Sequence, residues 1–311
     1  MKSQRKLMLL PFERLVMVYI ALTSLLIFVL WGRLEHPVQQ LLGRVLIVVG
    51  IYVIGFVSVR FFDNKIEILL KVLFQLSLLN FWYPDIYYFN AAFPNLDHLF
   101  AIVEQQVFGF QPAITFSSMF PQKWVSELIY FGYFAYYPLI VGTVVYGFYL
   151  NRDEGNRVMY LLLGSFFTFY LIYILVPVSG PQFYFLAIGI EDVAKANFYS
   201  IGSYFKTHTD IMQGPGYASG FFYSLIAKIQ AGSEFPIAAF PSSHVGISTV
   251  LMLWMFSVNR KASLFLLPIY FFLCCATVYI RAHYLIDVFA GWIAGVLFYL
   301  VYDRLYKRLW T

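Results

Sequence analysis

The 311-residue chain is poor in charged residues, which make up 12% of it, whereas hydrophobic residues make up 61%. Soluble proteins average about a quarter charged residues, so this composition excludes an ordinary soluble globular protein. The chain also has only two cysteines, Cys274 and Cys275. Because neighbouring helical residues point in different directions, we expect neither a disulfide nor a metal site at these cysteines.

The net charge of +5 does not indicate a nucleic-acid-binding protein. The basic residues stand at the ends of apolar segments, which is typical of membrane topology. Lys2, Arg5 and Lys6 precede the first apolar segment, and we find no small-residue cleavage site before Trp31. We therefore predict a retained first helix rather than a cleaved signal peptide.

Eight apolar segments have lengths that suit membrane-spanning helices of about 20 residues. The sequence therefore predicts an all-α fold, a polytopic membrane helix bundle with about eight transmembrane helices. The segments cover residues 15–32, 45–60, 66–84, 125–150, 158–178, 244–259, 262–281 and 284–303.

The basic residues also predict the orientation of the bundle. Alternating the eight segments from a cytoplasmic N-terminus places 14 of the 21 basic residues on the cytoplasmic side. The positive-inside rule then predicts that both termini are cytoplasmic. Three polar stretches, residues 176–182, 240–244 and 281–287, fall together on the opposite, extracytoplasmic face.

Two segments on that face are too long to be simple connections. Within residues 84–124, the stretch Leu96 to Phe110 is amphipathic and suits a helix lying in the membrane interface. Residues 182–240 are rich in tyrosine and glycine. Long loops in compact domains are usually lids or binding loops, and the aromatic residues predict an ordered interfacial cap.

His283 and Asp287 stand four residues apart where the last apolar segment begins. At this spacing they face the same way on a helix. The carboxylate can hold one ring nitrogen of the histidine and leave the other as a nucleophile. Alternatively, the two residues form a polar pair that only ties helix ends together.

His244 opens another apolar segment, directly after Ser242 and Ser243. Serines are good N-caps, and the free amides of a helix start bind anions. A histidine at such a start is well placed to protonate a leaving group, although an interfacial histidine beside an ordinary cap has the same pattern. Its occurrence with His283 and Asp287 on one face favours catalysis.

Arg281 and the stretch from Pro177 to Pro181 are further polar features of this face. A guanidinium offers a planar fork that matches phosphate, but it can also extend toward lipid headgroups. The stretch with two prolines ends the fifth helix and exposes backbone polar groups. It either helps to form a phosphate pocket or only stops the helix.

These stretches resemble motifs of the type-2 phosphatidic acid phosphatase superfamily. The sequence FPSSHVG at 240–246 looks like the family's second motif, and YIRAHYLIDVFAG at 279–291 looks like its third. The His-Tyr-x-x-Asp-Val form is closer to the inositol phosphorylceramide synthase-like branch. Other residues are similar to that branch as well, namely Asp97, Phe108-Gly109, Pro112 and the aromatic run 130–138.

The resemblance implies a metal-independent mechanism without a cofactor. By it, His283 attacks the phosphorus and forms a phosphohistidine, which Asp287 orients and stabilises. His244 protonates the departing oxygen and then activates the acceptor. The chain is then divided into N-terminal transmembrane helices, residues 1–84, and a phosphatase-like catalytic membrane domain, residues 85–311, which form one structural unit.

Phosphate binding is where the chain departs from the family. Its first motif, Lys-x6-Arg-Pro, is absent, and Thr277 stands where the third motif usually has an arginine. Arg281 can substitute for that arginine. We predict that the phosphate is bound by Arg281, Ser242, Ser243, Gly180 and Gln182.

Four functions remain open at this point. A lipid phosphate phosphatase, with water as the acceptor, is favoured slightly over a phosphotransferase that moves a phosphoryl headgroup onto an alcohol. A transporter is disfavoured because the charged groups cluster at one surface and no repeat is seen, and an inactive scaffold because His244, His283 and Asp287 are all present. The expected partners are a lipid phosphate and the bilayer, with no nucleic acid; the oligomeric state is left open.

Overall fold

The computed structural model describes residues 8–233 and 235–310, and these residues form helices and connecting segments without a strand. The predicted all-α class is therefore confirmed. The helices are α1 (Pro11–Val29), α2 (Pro37–Phe61), α3 (Asn64–Ser77), α4 (Leu79–Asn90), α5 (Asp97–Phe108), α6 (Pro112–Met119), α7 (Lys123–Phe134), α8 (Tyr136–Leu150), α9 (Arg152–Leu175), α10 (Pro181–Ile188), α11 (Ile190–Ala194), α12 (Phe221–Ser233), α13 (Ser243–Val258), α14 (Arg260–Tyr279) and α15 (Leu285–Trp310).

All eight predicted apolar segments are helical, but fewer of them reach the length of a membrane span. Six stretches of the described residues are long and apolar enough: α1, α2, α3 with α4, α9, α14 and α15. The helices α7 and α8, which are bent by 40° at their junction, make a seventh if the pair is counted as one span. α13 is apolar but has only 16 residues, fewer than the about 20 that a bilayer core requires. The chain is a polytopic helical membrane protein.

The central helix is α9, which packs against α1, α4, α8, α13 and α15. Its residues from Gly155 to Phe167 are all buried. A helix that is largely apolar on all its sides is expected to be buried in the interior of a bundle. The hydroxyl of Tyr173, near the end of α9, bonds to the carbonyl of Pro241 and the amide of Ser243. The segment that follows α9 therefore begins next to the start of α13.

Glycines bring α13 and α15 into direct backbone contact. A Cβ atom on Gly291 would lie 2.6 Å from the carbonyl oxygen of Ser242, and one on Gly295 would lie 2.6 Å from that of Gly246. Small residues allow such close approach of membrane helices. The first turns of the two helices, with His244 and Asp287, are therefore held side by side.

The helices α1 to α4 contain buried ion pairs. The guanidinium of Arg44 contacts both carboxylate oxygens of Asp85, with Nη2–Oδ2 at 2.6 Å, and both side chains are at most 5% exposed. Charged groups inside a membrane bundle pair because unpaired charges are costly there. The predicted boundary between residues 84 and 85 falls within α4, and the division into two parts stays a prediction.

The two long segments are largely helical. The predicted amphipathic stretch forms α5, whose apolar Leu99, Val103 and Val107 are exposed and whose acidic Asp97 and Glu104 are buried. Residues 182–240, called the cap below, contain most of α10, then α11, α12 and a short 3-10 turn at Tyr204–Lys206. The polar face of α5 therefore points into the protein, next to the start of α15.

Candidate active site

His283 lies in the turn between α14 and α15 and is 3% exposed. Its Nδ1 atom is 2.7 Å from the carbonyl oxygen of Ala239. Because a carbonyl oxygen only accepts hydrogen bonds, Nδ1 carries the proton and Nε2 is the unprotonated nitrogen of the neutral ring. The backbone amide of His283 donates to the carbonyl of Thr277 at 3.0 Å. The ring is thus held in the tautomer that a nucleophile at Nε2 requires.

Asp287 is fully buried in the first turn of α15. Its Oδ2 atom accepts a hydrogen bond from the amide of Tyr284 at 2.9 Å and lies 3.7 Å from Nδ1 of His283. The two residues therefore come together as their spacing predicts, but the short bond to the ring comes from Ala239. At 3.7 Å the carboxylate acts on the imidazole mainly through its charge.

His244 is the second residue of α13 and faces His283. Its Nδ1 atom lies 3.4 Å from Nε2 of His283. The His244 ring stacks on Tyr133, with centroids 4.8 Å apart, and packs against Tyr136 at 4.5 Å. These tyrosines flank the junction of α7 and α8, so the bend at Ala135 lets two neighbouring turns contact one imidazole.

The start of α13 is bonded within the protein. The hydroxyl of Ser242 accepts from the amide of Val245, and the amide of Ser242 donates to the carbonyl of Asp287 at 3.0 Å. The amide of Ser243 donates to the hydroxyl of Tyr173 at 3.0 Å. The serines thus cap α13 and join it to α15 and α9, and their phosphate-binding role stays a prediction.

Asp97 on α5 joins the segment after α9 to the turn that carries His283. Its carboxylate accepts from the amides of Ser179 and Gly180, the side chain of Asn95 and the hydroxyl of Tyr284, at 2.6–3.0 Å. Burial outweighs these bonds and raises the pKa of Asp97 to about 6. Gly180 has a φ of +95° and passes close to Ala282, a conformation that favours glycine.

Glu104 is a second buried acid of α5, two turns after Asp97. Its Oε1 atom accepts from the amides of Leu285 and Ile286 at 2.5 and 3.3 Å. Burial, together with the negative charge of Asp287, raises the pKa of Glu104 to about 8. The sequence analysis missed this residue, although its spacing from Asp97 places both acids on one side of a helix.

Arg281 and Gln182 connect the cap to the same turn. The amide of Gln182 donates to the carbonyl of Arg281, and the amide of Met212 donates to the carbonyl of Gln182, both at 2.9 Å. The Arg281 guanidinium is 2.9 Å from the sulfur of Met212. Its Nε atom is buried without a hydrogen-bond partner among the described residues, and burial lowers the pKa of Arg281.

The structure therefore joins the predicted residues in two groups. The catalytic candidates His244, His283 and Asp287 lie together at the starts of α13 and α15. The phosphate-binding candidates surround these helix starts. The backbone amide of each of them donates to another group of the protein: Ser242, Ser243, Gly180, Gln182 and Arg281. Thr277 is fully buried and its hydroxyl bonds to its own helix, so it does not replace the missing arginine.

Residues that the sequence analysis missed position the catalytic candidates. They are Ala239, which fixes the His283 ring, Glu104, and Tyr173 at the start of α13. Backbone carbonyls leave no sequence signal, since every residue has one. Within residues 8–233 and 235–310, no group of three or more histidine, cysteine, aspartate and glutamate residues is placed to hold a metal ion.

The part of the chain that carries the candidate site matches a known protein family. A model described as the PAP2 superfamily matches residues 99–301. The match runs from α5 to α15 and includes His244, His283 and Asp287. No curated protein and no solved structure gives a significant match.

Proposed function

The chain belongs to the PAP2 superfamily, and from this premise we propose a metal-independent lipid phosphate phosphatase or phosphotransferase that works through a phosphohistidine on His283. Membership supports phosphatase or phosphotransferase activity in general. The observation that carries the mechanism is the 3.4 Å separation between Nε2 of His283 and Nδ1 of His244. Two histidines this close can divide the roles of nucleophile and general acid.

In the first step, Nε2 of His283 attacks the phosphorus of the lipid phosphate ester. The N–P bond forms while the P–O bond to the leaving group breaks. His244, which has taken a proton from the substrate phosphate on binding, donates it to the departing oxygen, so the lipid leaves as a neutral alcohol. The His283 ring becomes positive. Its Nδ1 keeps its proton and donates it in a hydrogen bond to the Ala239 carbonyl, and the carboxylate of Asp287 stabilises the charge from 3.7 Å.

The second step returns both histidines to their starting state. His244, now neutral, removes a proton from the acceptor, and the acceptor oxygen attacks the phosphorus. The N–P bond breaks, and its electron pair returns to Nε2. Water as the acceptor releases inorganic phosphate, whereas an alcohol would yield a new phosphate ester.

Phosphate binding in this mechanism is assigned to Arg281, Ser242, Ser243, Gly180 and Gln182. The unpartnered, buried Nε atom of Arg281 supports this assignment, because a buried donor requires an acceptor. A phosphate that accepts from it would satisfy the guanidinium with charge-assisted bonds.

The second candidate is transfer of a phosphoryl headgroup between lipids, as in inositol phosphorylceramide synthase. It is favoured by the hydrogen bond from the Tyr284 hydroxyl to Asp97 at 3.0 Å, since both residues carry the resemblance to that branch. The same histidines serve both reactions, which differ only in the acceptor. A membrane transporter is a third and weaker candidate.

The active site is assigned to the extracytoplasmic or lumenal face, with both termini cytoplasmic. The assignment counts α13 and the bent pair of α7 and α8 as spans, which gives eight alternating segments. The resulting distribution, with 14 of the 21 basic residues on the cytoplasmic side, supports it. It follows that a bacterial form would act in the periplasm and a eukaryotic form in a lumen or outside the cell.

Purified protein in detergent can be incubated with a panel of labelled lipid phosphates, with and without inositol or ceramide. We expect release of phosphate from at least one lipid, or transfer of label to an added alcohol. The enzyme should also carry acid-labile phosphate that is absent from His283→Ala. Turnover without any labelled enzyme intermediate, in rapid-quench samples, would contradict the covalent mechanism.

A further inference from the structure

The helix α15 begins without a local cap. The residue before its first turn is Tyr284, whose side chain has no acceptor that can reach the next amides. The hydroxyl of Tyr284 bonds instead to Asp97. Among the described residues, the carboxylate of Asp287 accepts from the amide of Tyr284 and not from those of Leu285 and Ile286, so these two amides require an acceptor from elsewhere.

Glu104 is that acceptor, although it is 181 residues away in sequence. Its Oε1 atom accepts from both amides, at 2.5 and 3.3 Å, and its side chain is fully buried. The catalytic turn is thus completed by a residue of α5.

We propose that Glu104 is a positioning residue of the active site, which caps α15 and thereby fixes the turn that holds His283 and Asp287. The inference rests on the proposed function for its catalytic consequence, while the capping itself is independent of it. The two capped amides lie between His283 and Asp287 in the chain. Fraying of this first turn would change the distance from the carboxylate to the imidazole.

A second observation places Glu104 in the electrostatics of the site. The Oε2 atom of Glu104 and the Oδ1 atom of Asp287 are both buried and have no hydrogen-bond partner among the described residues. Burial first, and then repulsion from the charge of Asp287, raises the pKa of Glu104 to about 8. Of the other titratable groups near this pair, Tyr284 in the turn interacts with Glu104, and Asp97 on α5 interacts with Asp287.

Three variants separate capping from charge. Glu104→Ala removes both, and Glu104→Gln keeps an oxygen that can accept from the amides but removes the charge. Gln106→Ala, on the exposed side of the same helix, is the matched control. The measurements are kcat and KM across pH, and hydrogen exchange of the peptide that covers residues 281–292.

We expect Glu104→Ala to lower kcat by about 10- to 100-fold, because small displacements of catalytic groups have effects of this size. KM should change little, and exchange at Leu285 and Ile286 should accelerate. Glu104→Gln should recover slow exchange and most of kcat. Glu104 becomes charged only as the pH rises through about 8, so the rate profile of Glu104→Gln should lack the change that this ionisation causes in the wild type near pH 8.

Unchanged exchange and unchanged kcat in a folded Glu104→Ala protein would overturn the proposal. Equal losses of stability and rate in Glu104→Ala and Glu104→Gln, with an unshifted pH profile, would also overturn it, since that pattern is purely structural. If Glu104→Ala does not fold, the pH profile of Glu104→Gln decides. If the wild type is inactive on every lipid tested, the proposed function fails, while the exchange data still decide whether Glu104 caps α15.

Discussion

Nε2 of His283 lies 3.4 Å from Nδ1 of His244, although these two residues, at the starts of two helices, are 39 residues apart in the chain. The carbonyl of Ala239 holds the first ring, and Tyr133 and Tyr136 enclose the second. Each imidazole ring is therefore held in place by a different set of contacts.

Substitution of the two histidines should separate their roles. His283→Ala should abolish turnover and the phosphoenzyme, because no other nucleophile is assigned. His244→Ala should lower the rate roughly 100- to 10,000-fold for alkyl phosphates, the range typical of general acid catalysis. The loss should be much smaller for aryl phosphates with good leaving groups. Near-normal turnover by a folded His283→Ala protein would show that the nucleophile is another residue.

Gly291→Ala should destabilise the fold and reduce activity. The added methyl group would meet the carbonyl oxygen of Ser242 at 2.6 Å, so α13 and α15 must move apart. Overpacking of this kind costs about 1–3 kcal/mol. Gly142→Ala is the matched control, because no atom lies within 4 Å of its added Cβ. Thermal unfolding in detergent measures both, and equal stability of the two variants would contradict the close helix contact.

Turnover should survive treatment with EDTA. In the proposed mechanism, the nucleophile is a histidine nitrogen and the charge is stabilised by Asp287 and Arg281, so no step uses a metal ion. The measurement is the initial rate before and after chelation, with magnesium added back. Complete loss in EDTA and recovery with magnesium would rule the mechanism out.

The pH dependence of stability should differ between the wild type and Glu104→Gln. The pKa of Glu104 is raised from 4.5 to about 8 in the folded protein. The stability that this group contributes is therefore complete below pH 4.5 and is lost as the pH rises through 8. A glutamine side chain does not ionise, so Glu104→Gln does not lose stability in this way as the pH rises. The unfolding temperature of Glu104→Gln, minus that of the wild type, should thus increase from pH 5 to pH 8; a constant difference would contradict the raised pKa.

Cysteine labelling tests the sidedness of the site. Ser203 is exposed in the cap, and Cys274 and Cys275 are replaced first. Ser203→Cys should then react with a membrane-impermeant thiol reagent in intact cells. A cysteine at Asn151, at the opposite end of α9, should react only after lysis and serves as the control. The reverse pattern would place the active site in the cytoplasm.

The amphipathic stretch after residue 96 shows what periodicity can and cannot predict. Its helical spacing correctly predicts α5, since local sequence determines which residues share a face. The direction of that face is decided by the surroundings. In a membrane protein the apolar side can face outward, and in α5 Leu99, Val103 and Val107 are exposed while Asp97 and Glu104 are buried.

By itself, the sequence determined the helical class, the membrane setting and the pairing of His283 with Asp287. These depend on composition and on contacts within one or two helical turns. Tertiary structure alone decided that Ala239 fixes the His283 ring, that Glu104 caps α15, and that His244 meets His283 across two helices. Such contacts join residues far apart in the chain through backbone atoms and close helix packing. Because every residue has the same backbone groups, the sequence carries no local mark of which of them will meet.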